Sequence, residues 1–147
     1  AQISLNTPAL TKNSVRQAHV DNENKLFSGL FYLRQPDDHS TGGNLQLCNW
    51  PIDYSEKQKL KNYREGVHAK HYEIFNEVEY QNNIAILFLN SLDALHCVTP
   101  RGPTSNIRTF MNLVCEMPHD IFTKYTYSEK ILINTKTTLK NLIYPKS

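Results

Sequence analysis

At 147 residues the chain has the length of one compact domain, and a 39% apolar content supplies a core but not a membrane protein. No uninterrupted apolar run approaches the roughly 20 residues of a spanning helix. Sixteen basic residues against 14 acidic ones, a formal charge of +2, give no general pull on nucleic acid. Cys48, Cys97 and Cys115 are odd in number and widely spaced, without a CxxC pair. That excludes a disulfide framework and favours a reducing, cytoplasmic compartment. The N-terminus shows no charged segment followed by an apolar one, hence no signal peptide. A first residue of Ala1 reads as a fragment of a longer protein.

In chain order, Val15, Gln17, His19 and Asp21 alternate with Arg16, Ala18 and Val20, a period of two that predicts a polar strand. The run 26–33 (LFSGLFYL) is aromatic-rich and predicts a strand. Next, 35–43 (QPDDHSTGG) is dense in turn formers and predicts a loop, with a short strand at 44–48 after it. Residues 55–71 are charged and rich in helix formers, giving a helix or an exposed insertion. Their basic members Lys57, Lys59, Lys61 and Arg64 are interrupted by Glu56 and Glu65, as on a solvated helix face.

A short strand is expected at 77–80, and 84–89 (IAILFL) is the clearest buried strand. A turn at 90–93 leads to a strand at 94–98, a loop at 100–106 and a strand at 108–116 (RTFMNLVCE). The stretch 128–142 offers Ile131, Leu132, Leu139 and Leu142 to the apolar face of a closing helix. About seven short strands between Gly- and Pro-marked turns predict an all-β sandwich or jelly roll with minor helices.

The chemistry begins at His19 and Asp21. Side chains two apart on a strand project from one face, so an imidazole and a carboxylate would emerge together. A distant His would complete a facial set of two His and one carboxylate, which leaves positions open on non-haem Fe(II). By spacing alone an HxD pair reads more readily as a polar strand end. The other His residues read more simply. His39 lies in the loop at 35–43, His68 and His71 have no acidic or thiol neighbour, and His119 follows a Pro. Surface positions suit all four. Cys97 should point away from His96 and pack as a small hydrophobe. Gly42 and Gly43 lack a following GK[ST], so they permit a turn or bulge rather than a phosphate loop.

Taken in order, AHVDN, LFSGLFYL, QPDDHSTGG and NLQLC resemble the iron(II)- and 2-oxoglutarate-dependent oxygenase superfamily, and its prolyl-4-hydroxylase-like branch in particular. In that branch an HxD strand leads to an apolar strand ending in Tyr-Leu, an acidic loop, and Gly-Gly before a short strand. ILFLNSLDALHCVTPR resembles the strand, turn and distal-His strand that follow. RTFMNLVCE resembles the next strand, whose basic residue anchors the cosubstrate. The resemblance spans roughly residues 15–116.

It implies a double-stranded β-helix (jelly roll) in which His19, Asp21 and His96 hold Fe(II). It also implies that Arg108 pairs with the distal carboxylate of 2-oxoglutarate, a task suited to the guanidinium fork. Arg101, nearer to His96 in sequence, is the rival. Tyr32 occupies the position of a phenol that hydrogen-bonds the cosubstrate, or else fills the barrel as an aromatic. The implied reaction oxidises a substrate C–H bond as 2-oxoglutarate becomes succinate and CO2, with ascorbate a compatible accessory reductant. An Asp at position 21 favours hydroxylation over halogenation, since related halogenases leave that position empty for chloride.

The implied substrate is a prolyl, peptidyl or small-molecule one, with neither nucleic acid nor membrane as partner. Two other classes remain open: a jelly-roll binding protein without catalysis, and a cupin-like metal enzyme that does not use 2-oxoglutarate. Cupin sites gather a clustered HxH pattern that this chain lacks. Family members carry helices and strands before the HxD strand, and here His19 comes almost at once. The main sheet is therefore expected to expose apolar surface and to lean on a partner or a second copy, as in a homodimer. The long stretch 49–81 is expected to form a substrate-facing lid.

Overall fold

A computed structural model of the chain describes residues 1–13, 17–65, 67–123, 125, 127–129, 131, 132 and 135. Among them the order is β1 (Gln2–Asn6), β2 (Lys25–Tyr32), β3 (Leu45–Asn49), α1 (Glu56–Glu65), a 3-10 turn at Ala69–His71, β4 (Glu73–Val78), β5 (Ala85–Leu89), β6 (Leu95–Val98) and β7 (Arg108–Glu116). The strands form two antiparallel sheets, ordered β1-β7-β2-β5 and β4-β3-β6. Isolated bridges from Ala9 to Thr104, Asn13 to Arg101 and His19 to His96 lay the leading segment antiparallel along β6 and the loop after it. The protein is all-β with few helices. Among the described residues, no helix is long and apolar enough to cross a membrane.

The alternation in β2 explains the larger sheet. Ser28, Leu30 and Tyr32 share the inner face with their partners Val114, Asn112 and Phe110 on β7. Phe27, Gly29 and Phe31 share the outer face with Cys115, Leu113 and Met111, and across β5 with Leu89, Leu87 and Ala85. On that outer face Ile3, Leu5, Leu87 and Leu89 are 62–74% exposed. The apolar sheet surface expected from the sequence is therefore present.

The smaller sheet has its own core on the side away from the larger one. Ala18, Val20, Cys48, Trp50, Val67, Leu95 and Cys97 cluster there, with Tyr54, Tyr72 and Phe122 packed against them. Trp50 Nε1 donates to the Leu92 carbonyl at 3.0 Å, and Lys59 pairs with Asp93 at 2.6 Å, tying this region to the β5–β6 turn. The helix α1 starts on a capping box: Ser55 Nα and Oγ both donate to Gln58 Oε1, at 2.9 and 2.6 Å.

These contacts correct the lid expectation. Trp50, Tyr54, Val67 and Tyr72 cover the back of the smaller sheet, and none of the described residues of 49–81 lines the cavity between the sheets. Length and position had suggested a lid, but the stretch carries Trp50, Tyr54, Val67 and Tyr72, which need a core to bury them.

Other differences are local. β1 was not foreseen, and the strand expected at 77–80 lies at Glu73–Val78 instead. At 17–21 the chain makes a single bridge rather than a strand, and Val15 and Arg16 lie outside the described residues. Of the closing helix, residues 128, 129, 131, 132 and 135 are helical, while 136–142 lie outside the described residues. Ile131 and Leu132 are exposed, not turned to a core.

Candidate metal centre

His19, Asp21 and His96 converge where the leading segment crosses β6. One ligand atom from each lies within 4.8 Å of the others. The bridge pairs His19 N with the His96 carbonyl at 2.9 Å and His96 N with the His19 carbonyl at 3.0 Å. That reciprocal pair sets the imidazoles side by side, with ring centroids 4.3 Å apart. Asp21, two residues on, reaches the same side.

Backbone carbonyls fix both imidazole tautomers. His19 Nδ1 lies 2.7 Å from the Gln17 carbonyl, and His96 Nδ1 lies 2.9 Å from that of Ala94. A carbonyl only accepts, so each Nδ1 carries a proton, and Nε2 is the ring nitrogen that would ligate a metal. The His96 ring also rests on Phe88 of β5, centroid to centroid 4.8 Å, which limits its rotation.

Ser28 of β2 donates its hydroxyl to Asp21 Oδ2 at 2.5 Å, and Lys25 Nζ stands 3.5 Å from Oδ1. Burial alone would raise the Asp21 pKa. The Ser28 hydrogen bond, then the charges of His96, Lys25 and His19, outweigh it and hold the carboxyl below its ordinary range. The donor set fits a divalent metal, which would take the two imidazoles in their neutral form beside one ionised carboxylate, each oriented by a neighbour.

The centre opens on a cavity of about 660 Å³ between the sheets. Its lining includes Ser28, Leu30 and Phe88 from the larger sheet, Leu45, His96 and Val98 from the smaller, and both Arg101 and Arg108. Arg108 is 3% exposed and donates Nη1 to Asn6 Oδ1 at 3.2 Å and Nη2 to the Gly43 carbonyl at 2.9 Å. Its guanidinium carbon lies 5.0, 4.8 and 4.6 Å from the ring centroids of Tyr32, Tyr80 and Phe110. Burial, chiefly, pushes the Arg108 pKa down.

Tyr32 stands behind this guanidinium, fully buried and absent from the cavity wall. Its hydroxyl is buried beside the Arg108 guanidinium, and burial raises its pKa despite the charge and hydrogen bonding of Arg108. The sequence-predicted residues thus divide. His19, Asp21, His96, Arg101 and Arg108 share one cavity, and Tyr32 supports it from behind.

Gly42 and Gly43 form the turn that brings β3 under the Arg108 side chain, with φ of 75° and 79°. A Cβ on Gly43 would come within 3.1 Å of Arg108 Nε. The other histidines stay outside the centre. His39, His68 and His119 are exposed, whereas His71 is half-buried and bonded through Nδ1 to the Tyr54 hydroxyl at 2.8 Å. Cys97 points to the back core as expected, where its Sγ lies 4.0 Å from that of Cys48.

Ser28, Lys25 and Tyr80 went unnoticed in the sequence. For Ser28 a signal was present: it is the polar residue on the inward phase of an otherwise apolar strand, a position that calls for a partner. Comparison with known protein families, characterised proteins and solved structures finds no match.

Proposed function

We propose that this protein is a non-haem Fe(II)- and 2-oxoglutarate-dependent oxygenase built on a jelly-roll core, hydroxylating a C–H bond of a prolyl, peptidyl or small-molecule substrate. One observation carries the reading. A two-His, one-carboxylate set and a buried guanidinium with no carboxylate partner among the described residues line the same cavity. Burying an unpaired cation is costly, so a cavity built this way calls for an anion opposite the metal.

In this reading His19, His96 and an oxygen of Asp21 would hold the iron, which would supply O2 activation coupled to decarboxylation of the cosubstrate. Ser28 keeps one Asp21 oxygen engaged so that the other faces the metal. Lys25 Nζ, 3.5 Å from Oδ1, adds a positive charge that keeps the carboxylate ionised. Arg108 binds the distal carboxylate of 2-oxoglutarate, and its three aromatic neighbours hold the guanidinium in place. Phe88 and Leu30 give the cavity an apolar wall that keeps water from the reacting bond.

The test is an anaerobic titration of Fe(II) and 2-oxoglutarate into metal-free protein, read by the visible charge-transfer band of the chelate. The band is expected in the wild type and lost in His96→Ala. No band in folded wild-type protein would overturn the proposal in favour of a jelly-roll protein that only binds its ligand.

A further inference from the structure

Arg101 has the same unusual situation as Arg108. It lies in the β6–β7 loop, 4% exposed, and donates Nη1 to the Thr7 carbonyl at 3.2 Å and Nη2 to the Asn106 carbonyl at 3.0 Å. The Nε atoms of both arginines are buried without a hydrogen-bond partner. Neither guanidinium pairs with a carboxylate among the described residues.

The two side chains also stand together. A Cβ on Gly43 would be 3.1 Å from Arg108 Nε and 3.2 Å from Arg101 Cγ, so both flank one glycine. Both are held by adjacent residues of the leading segment, Arg108 by Asn6 and Arg101 by Thr7. Both line the cavity. Two buried like charges this close, with no counter-charge, raise each other's cost. Backbone carbonyls satisfy hydrogen bonds but carry no net charge, so they do not remove that cost. A strap joining Thr7 to Asn106 would be served by any long donor; it does not require a second buried cation beside Arg108.

We propose that Arg101 and Arg108 form one anion-binding site in which two guanidiniums share the carboxylate end of the cavity ligand. The ligand's identity as 2-oxoglutarate rests on the function proposed above, whereas the site itself does not. Its ligand class is a small dicarboxylate, with one acid group between the arginines. Because Asn6 and Thr7 hold the two side chains, the bound anion also fixes the leading segment against the cavity.

The experiment uses the metal-free full chain and succinate, a dicarboxylate without the keto group needed for metal chelation. Affinity is measured by calorimetry and thermal shift at two salt concentrations. Wild type is expected to bind succinate more weakly as salt rises. Arg101→Gln and Arg108→Gln are each expected to lose roughly tenfold or more in affinity, as for a charge-assisted hydrogen bond.

Should a Gln variant fail to fold, Arg101→Lys decides: it keeps the charge but not the fork, and a loss of at least threefold is expected. Undiminished succinate affinity in folded Arg101→Gln, or in Arg101→Lys, would overturn the proposal and leave Arg101 as a loop strap. No succinate binding to wild type would overturn it as well. Arginine-dependent succinate binding without a charge-transfer band would keep this site and reject the oxygenase. A band whose 2-oxoglutarate dependence ignores Arg101 would do the reverse.

Discussion

Replacing Ser28 with Ala removes one atom and isolates the support of the metal carboxylate. In the wild type the hydroxyl donates to Asp21 Oδ2 at 2.5 Å in a buried setting. A hydrogen bond to an ionised group contributes about 1.5–3 kcal/mol, and losing a residue that orients a metal ligand typically costs 10–100-fold in affinity. The two figures agree, since about 1.4 kcal/mol corresponds to tenfold. Zn(II) or Fe(II) affinity, measured by competition with a chromophoric chelator, should fall by that factor in Ser28→Ala. Ser28→Thr, which keeps the hydroxyl, should recover most of it.

The pH dependence gives a second readout of the same change. The Asp21 carboxyl lies below its ordinary value in the folded protein, so its ionised form stabilises the fold above the unfolded pKa. That contribution disappears as pH falls through the folded pKa. Without the Ser28 hydrogen bond the folded pKa rises, and acid unfolding of Ser28→Ala should begin at higher pH than in wild type. Unchanged metal affinity together with an unchanged acid limb would refute the role given to Ser28.

Other substitutions test separate parts of the structure. Asp21→Ala should abolish iron retention and turnover, read by metal content after desalting and by succinate release; full activity would sink the metal assignment. Arg108→Ala should remove 2-oxoglutarate binding while leaving the affinity for Zn(II) intact, since its guanidinium contacts none of the metal-binding side chains; equal loss of both would show a collapsed cavity. Gly42→Ala should destabilise by more than about 1 kcal/mol, because its φ of 75° is left-handed and the added Cβ would lie 2.0 Å from the Pro100 carbonyl. A melting temperature equal to wild type would contradict that. Among the thiols, half-buried Cys115 should alkylate first, with Cys48 and Cys97 protected until the chain unfolds; early labelling at Cys97 would show that the back core opens locally.

The strands were legible where apolar and polar residues alternate or an apolar run is bounded by turns, as in β2, β5 and β7, but the expected burial of β5 fails: it is an edge strand with Leu87 and Leu89 exposed. β1 carries the same alternation, but it is a short edge strand whose Ile3 and Leu5 face outward, so no burial accompanies the pattern. The candidate metal ligands were readable because an HxD pair and a distant His are side-chain chemistry. The bridge that unites them is long-range backbone pairing, which no local signal encodes. Sequence position favours Arg108 over Arg101 as the partner of the cosubstrate carboxylate, and the cavity contains both. The face covered by 49–81 could not be inferred from loop length, whereas the four apolar residues within it pointed to a core.

The reciprocal bridge between His19 and His96 also bears on how the molecule assembles. The chain between them runs through β2, β3, α1, β4 and β5. Closing so long a loop is slow and entropically costly, so the His19–Asp21–His96 set is expected to form late in folding rather than to nucleate it. Metal added during refolding should therefore leave the folding rate almost unchanged and act on the unfolding arm, slowing escape from the finished state. A bound ion stabilises only the native form, by an amount that grows with the logarithm of its concentration. With an ion bound, the centre would act as a latch, closed once the two sheets are already in register.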